Sequence, residues 1–183
     1  GDVAVLSAGD ILDNNGASLN VQADELHLSA AGTIGQMDTG ADDENIQAID
    51  TQVNRLAATS AGGIYVLESD SVTIGLVSNL TVQRAEFNST LSPVMVTGIA
   101  DLQTSDGAIK LVAGGTITVT DGDSDTFGVS AGDDGDVLLD ARGDTSNVAL
   151  QTRSGPVSAG TQRAVEDAIL TRARQLRVNA KKF

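Results

Sequence analysis

The sequence predicts an all-β fold, a solenoid of the parallel β-helix type over residues 1–160, with a short amphipathic helix over residues 161–183. Three observations predict it: a short strand-and-turn unit recurs, small residues recur within it, and large aromatic residues are nearly missing. Of 183 residues, three are Phe, one is Tyr, none is Trp and 20 are Gly. The core must therefore consist of Ile, Leu, Val and Ala in thin, repeated layers, because few large aromatic side chains are present to fill volume.

The recurring unit has a turn residue, apolar residues two and four positions later, and a second turn residue eight positions after the first. It begins at Gly1, Asp24, Gly62, Gly107 and Gly135. Alternation places every second side chain on one strand face, and Gly or Asp allows the tight turn between strands. Eight residues are too few for a crossover helix. Successive strands are therefore expected to wind into coils that stack in parallel.

A direct comparison of two segments supports duplication. Four residues recur 30 positions later: Leu26, Ala31, Gly32 and Ile34 become Leu56, Ala61, Gly62 and Ile64. The five units begin 23, 38, 45 and 28 residues apart. Because a coil takes roughly 20 to 30 residues, the two longest steps hold either two coils or one coil with a loop. Residues 35–45 and 83–93 are predicted to be polar loops, and an antiparallel sandwich remains an alternative.

The last segment, residues 161–183, differs from the repeats because it is basic. Its apolar residues are spaced by three and four, which predicts an amphipathic helix. Thr161 is a suitable N-cap, and acids precede bases as the helix dipole favours. The helix would be a cap, a joint to a further domain or a frayed tail. Since the sequence starts with Gly1, we expect a piece of a longer parent chain, whose adjacent coils would be its partners.

Composition argues against several classes of function. The net charge of −14 argues against nucleic-acid binding, and no apolar run is long enough for membrane insertion. Without Cys there is no thiol nucleophile or Cys-type zinc site. The single His27 lies between Leu26 and Leu28, so alternation predicts an exposed, idle side chain. No acid pair or aromatic platform for carbohydrate catalysis stands out, and we expect no enzyme activity.

The first candidate site is an integrin-type tripeptide, Arg142-Gly143-Asp144. A corner of the coil would present both charged side chains outward. The carboxylate could then complete a metal site of a host-cell receptor, and the guanidinium could pair with an acid. The repeat also explains the tripeptide without any binding, since Gly143 occupies a corner position of the unit.

The second candidate site is for Ca²⁺, the sole cofactor considered. Asp121, Asp123 and Asp125 have the alternate carboxylates of a calcium loop, although Thr126 and Gly132 replace the Gly and Glu of the EF-hand pattern. A second acidic run resembles Gly/Asp-rich calcium repeats but has Val137 in place of an Asp; its acids are Asp133, Asp134 and Asp136. The alternative is a set of solvated acidic corners that keep the molecule soluble.

Several segments resemble the repeat regions of giant bacterial surface proteins, the filamentous-haemagglutinin-like adhesins. The segments are Leu28-Ser-Ala-Ala-Gly-Thr-Ile-Gly35, Ile49-Asp-Thr-Gln-Val-Asn-Arg-Leu-Ala-Ala58, Gly62-Gly-Ile-Tyr-Val66 and Val72-Thr-Ile-Gly75. The resemblance spans roughly residues 1–160 and concerns the style of the repeats. It implies a right-handed parallel β-helix, export to the bacterial cell surface, and a role in adhesion or as the stalk that displays an adhesive tip.

Three functional hypotheses follow from these patterns. The first is a non-catalytic, structural stalk segment of a large secreted or surface-anchored bacterial adhesin. The second is a binding module that contacts a receptor through the tripeptide or through a corner organised by Ca²⁺. The third is a carbohydrate-active β-helix enzyme.

Overall fold

The computed structural model describes residues 1–37, 47–123, 125, 127–132, 135–143, 148–151 and 176–180. These residues form strands and turns, and no helix occurs among them. In particular, no helix in this part of the chain has the length and apolarity to cross a lipid bilayer. The strands are β1 (Val3–Ser7), β2 (Val21–Ala30), β3 (Ile49–Ser60), β4 (Ile64–Glu68), β5 (Val72–Ile74), β6 (Leu80–Ala85), β7 (Leu91–Val96), β8 (Leu102–Thr104), β9 (Ile109–Ala113), β10 (Ile117–Thr120), β11 (Val129–Ala131), β12 (Val137–Ala141), β13 (Val148–Gln151) and β14 (Leu176–Ala180).

Twelve of these strands form one sheet in which the described pairings are all parallel. Strands β6 and β7 form a separate antiparallel hairpin. The long strand β3 pairs along one edge with β2 and along the other with β4, β5 and β8 in turn. The large sheet therefore contradicts an antiparallel sandwich and is compatible with a solenoid.

The shortest step between paired strands is 17 to 18 residues. Ile49 pairs with Val66 and Leu56 pairs with Ile74 at this spacing. The other described steps are longer because insertions leave the stack and return to it. At one of them, Gly35 has a φ of +65° that favours glycine, and the Gln36 amide then donates to the Gln47 carbonyl at 2.8 Å.

The recurrence found in the sequence corresponds to stacked positions. Leu26 pairs with Leu56 and Ile34 with Ile64, so the 30-residue duplication is confirmed as a step between paired strands. The 38-residue interval between Asp24 and Gly62 is wrong as a stacking step, because the Gly62 amide donates to the Gly32 carbonyl instead. The 45-residue interval is confirmed as a single step, which contains the β6–β7 hairpin.

The core is a set of aliphatic ladders that run across the parallel strands. One ladder joins Ile34, Ile64, Ile109 and Val137, and each of these side chains is at most 2% exposed. The neighbouring outward position, Tyr65, is half-buried. Burying one such aliphatic side chain contributes about 1.5 to 3 kcal/mol. Parallel register thus converts each apolar position of the repeat into a continuous column.

Two expectations about individual segments are wrong. Residues 83–93 are not an irregular loop, because most of them belong to the β6–β7 hairpin. The helix expected over residues 161–183 is wrong for Leu176–Ala180, which form β14 beside β12. That segment alternates apolar and polar residues, a period of two that suits a strand on the edge of β12. The remainder of 161–183 lies outside the described residues.

Replacing Ile64 by aspartate should abolish cooperative unfolding. Ile64 is fully buried between Ile34 and Ile109, so an unpaired charge there costs several kcal/mol, on the order of 4 or more. Urea unfolding followed by circular dichroism measures the effect. Leu6→Asp is the matched control, because Leu6 is 57% exposed. A folded Ile64→Asp protein of near wild-type stability would contradict the assignment of the inner face.

Replacing residues 80–97 by Gly-Gly should leave the rest of the protein folded. The chain enters and leaves this insertion at adjacent points, where the Val77 amide donates to the Ile99 carbonyl and the Gly98 amide donates to the Asn79 side chain. The shorter connection lowers the entropy cost of closing the loop by about 1 kcal/mol. We expect an unfolding midpoint within a few degrees of the wild type. Loss of cooperative unfolding would show that the hairpin belongs to the core.

Candidate metal centre

The loop after β10 is organised by its own aspartates. The side chain of Asp121 accepts a hydrogen bond from the Asp123 amide at 3.2 Å, and that of Asp123 accepts from the Asp125 amide at 2.7 Å. Asp125 in turn accepts from the Phe127 amide at 2.7 Å. Asp side chains commonly cap an amide two residues ahead in this way. Successive turns of this kind hold three carboxylates on one short stretch of chain.

A fourth carboxylate, that of Asp101, comes from the segment just before β8. Its backbone amide donates to the Gly75 carbonyl and its carbonyl accepts from the Ala58 amide, so the residue is fixed within the stack. The side chain is 0% exposed. Its Oδ1 accepts from the Gly122 amide at 3.0 Å, whereas its buried Oδ2 has no hydrogen-bond partner.

Gly122 allows the loop to approach Asp101 closely. A Cβ atom at this position would clash with the backbone nitrogen of Leu76 and lie 2.8 Å from the Cβ of Ala100. A larger residue would therefore push the loop away from Asp101. The glycine between Asp121 and Asp123 is required by this contact.

The four carboxylates of Asp101, Asp121, Asp123 and Asp125 form one group, which we call the aspartate cluster. One oxygen from each lies within 4.8 Å of the others. Burial, and to a smaller extent the other three acids, raise the pKa of Asp101 to about 7. Burial also raises the pKa of Asp125. Hard cations such as Ca²⁺ bind groups of carboxylate oxygens of this kind.

The sequence-predicted metal ligands have different outcomes. The structure brings Asp121, Asp123 and Asp125 together. Asp136 is exposed and is not part of the aspartate cluster, while Asp133 and Asp134 lie outside the described residues. Asp101 was missed because it is a single acid 20 residues upstream. The signal that would locate it is the 27-residue step that pairs β8 with β11.

The described part of the tripeptide lies at the end of β12. The Arg142 Nε donates to the Asp140 Oδ2 at 2.9 Å, and 47% of the Arg142 side chain is exposed. The Arg142 amide donates to the Ala113 carbonyl. Gly143 follows in a bend and Asp144 lies outside the described residues. Whether the tripeptide binds a receptor stays a prediction.

His27 is buried, which contradicts the expectation of an exposed side chain. It is 6% exposed, and burial lowers its pKa. The strand face opposite the core is also covered, since the Ser78 amide donates to the Glu25 side chain at 2.6 Å. The chain entering the hairpin insertion thus lies against the outer side of β2. Alternation alone could not predict this second layer.

Glu68 is a buried carboxylate at an inward position of β4. Its Oε2 accepts from the Thr51 hydroxyl at 2.7 Å and from the Val53 amide at 3.1 Å, and its Oε1 accepts from the Asp70 amide at 3.1 Å. Desolvation raises its pKa to about 7 despite these donors. Glu68 therefore links β3 to β4 at the cost of burying a titratable group.

A shallow groove beside Glu68 does not gather a catalytic acid pair. Asp50 and Glu68 both line it, together with Arg142 and small or aliphatic residues. Asp50 pairs with Leu67 and Thr51 pairs with Glu68, so strand alternation directs Asp50 and Glu68 to opposite faces. The groove also has no aromatic residue among those that line it.

Comparison of the chain with models of protein families, with curated proteins and with solved structures finds no match. The resemblance of the repeats to haemagglutinin-like adhesins is therefore still a prediction.

Stability should fall as the pH rises from about 5 to 8. The folded-state pKa of Glu68, about 7, lies above its ordinary value of 4.5, so the folded protein binds more protons than the unfolded chain in this window. Asp101 acts in the same direction. Glu68→Gln should remove part of this slope, on the order of a few kcal/mol. Urea unfolding at several pH values in EDTA buffer measures it.

Glu86→Gln is the matched control, because hydrogen bonds from Ser92 and Arg84 lower the pKa of Glu86. That variant should keep the wild-type slope between pH 5 and 8. If Glu68→Gln keeps the slope as well, the Glu68 carboxylate is ionised at ordinary pH and its assignment here is wrong.

Proposed function

We propose that this chain is a right-handed parallel β-helix and serves as a structural stalk segment of a large secreted or surface-anchored bacterial adhesin. The parallel pairing and the short step of 17 to 18 residues support the helix. Its handedness, its location and its part in adhesion are proposed from the resemblance of the repeats. The segment itself would act as a spacer, with no catalytic role.

One observation carries the stalk proposal: the first layer lacks a neighbour on one side. Among the described strands, β1 is hydrogen-bonded to β2 alone. Its inward residues Val3 and Val5 are only partly buried, whereas their register partners Leu26 and Leu28 are 0% exposed. A layer of this kind is completed when another layer of the same type stacks on it. This is the property expected of a segment within a longer rod.

The distribution of charge and of insertions also supports a spacer. The chain carries a net charge of −14, and a charged surface of one sign opposes association between neighbouring rods. The insertions leave the stack at corners, as at Gln36 and Gln47, without changing the register of the layers. Length and surface can then vary while the core pattern is kept.

A receptor-binding module is the second candidate. The observation that favours it is the 47% exposure of the Arg142 side chain directly after β12. Its ion pair with Asp140 counts against it, because a receptor carboxylate would have to replace that partner.

Cell adhesion to the immobilised protein separates the two candidates. Wild type and Asp144→Glu are coated at equal density, with and without Ca²⁺, beside an integrin ligand as positive control and albumin as blank. A stalk segment should support no adhesion above the blank with either protein, because it presents no receptor ligand of its own.

Adhesion that disappears in Asp144→Glu would establish the receptor-binding module instead. Adhesion that is equal in both proteins would contradict the spacer role and would also show that the tripeptide is not the ligand.

A further inference from the structure

We propose that the aspartate cluster binds one Ca²⁺ ion, which ties the loop after β10 to Asp101 in the preceding layer of the stack. This inference is independent of the stalk proposal, because it rests on the geometry of Asp101, Asp121, Asp123 and Asp125 alone. The site departs from the EF-hand pattern, since its buried ligand comes from a distant segment of the chain.

The separations of the oxygens fit calcium. Ca²⁺ binds oxygen ligands at about 2.3 to 2.6 Å, so ligands on opposite sides of the ion are about 4.6 to 5.2 Å apart. The largest separation within the aspartate cluster is 4.8 Å. Mg²⁺ requires distances of about 2.0 to 2.1 Å and octahedral geometry, so its opposite ligands are only about 4.2 Å apart. The cluster is therefore too wide for magnesium without contraction.

The buried oxygen of Asp101 is an observation independent of the acidity of the loop. A buried carboxylate oxygen without a donor loses the hydrogen bonds that water would supply. The Gly122 amide serves only the Oδ1 of Asp101, and Oδ2 is left with no partner. A solvated acidic corner would not need a carboxylate that is 0% exposed. A cation beside Asp121, Asp123 and Asp125 would supply the missing interaction.

Electrostatics favour the same assignment. The three loop aspartates each raise the pKa of Asp101, which shows that their charges act on it unfavourably. A divalent ion reverses that effect and favours the ionised form of all four. The aspartates supply four ligands, and Ca²⁺ takes six to eight oxygens, so water and backbone carbonyls would complete the shell.

Calcium bound here would stabilise the contact between layers. Asp101 is held by backbone hydrogen bonds to Gly75 and Ala58, while Asp121, Asp123 and Asp125 lie 20 or more residues later on a loop that leaves the stack. An ion held only by the folded state adds stability in proportion to the logarithm of its concentration. The loop and the strand β11 that follows it would gain most.

Isothermal titration calorimetry of CaCl₂ into EDTA-treated, dialysed protein tests the proposal, at pH 7.5 with 150 mM NaCl to suppress diffuse binding. We expect one Ca²⁺ per chain, with a dissociation constant in the range of about 10⁻⁵ to 10⁻³ M. MgCl₂ should bind at least tenfold more weakly. The thermal midpoint should rise with Ca²⁺ in the same order.

Asp101→Asn is the decisive variant, because it keeps the size of the side chain and an oxygen that can accept from Gly122. Without Ca²⁺ it should be at least as stable as the wild type, since a buried charge is removed. Its affinity for Ca²⁺ should fall at least tenfold. Asp123→Asn should also weaken binding, which would show that the loop and Asp101 share one ion.

Asp106→Asn is the matched control, because Asp106 is exposed and lies outside the aspartate cluster. It should bind Ca²⁺ as the wild type does. Three results would overturn the proposal: no saturable binding by the wild type at 5 mM Ca²⁺, wild-type affinity in Asp101→Asn, or an equal loss in Asp106→Asn, which would indicate diffuse attraction to an acidic surface.

Discussion

Parallel register between layers is the constraint on which the rest of this structure depends. No single layer can bury its aliphatic face alone, so each ladder position must find an apolar partner in the next layer. The column through Ile34, Ile64 and Ile109 meets that condition although 30 and 45 residues separate its members. Insertions of any length are accepted provided that the chain returns to the same point. Polar groups are accommodated at the corners and at the ends of strands.

Much of the fold could be predicted from the sequence, because its determinants are local. Alternating aliphatic residues and Gly or Asp corners located β1, β4, β9 and β12 correctly, and the recurrence of Leu26 as Leu56 predicted their pairing. The hairpin at β6 and β7 was mistaken for a loop. The segment from Leu176 was mistaken for a helix, because its bases and apolar residues also satisfy a helical spacing.

The candidate site was only partly predictable for a different physical reason. Three of its acids lie within five residues and are visible as a pattern, whereas Asp101 reaches them through the stacking of β8 beneath β11. The same limit applies to His27, which is buried by a segment that lies 50 residues further along the chain. A contact between layers can be inferred from sequence only when the insertions between them are assigned correctly, since these set the step.

The partly exposed face of β1 has a consequence for how such a chain acquires its structure. Each finished layer presents a complete row of backbone groups and apolar side chains, which is a template for the next layer and for little else. Folding can therefore advance in one direction, layer by layer, as successive stretches of chain become available. Nucleation of the first layer is the slow event, because Val3 and Val5 must be ordered before Leu26 and Leu28 can cover them. A polymer built in this manner grows by accretion, much as a crystal adds planes to an existing face.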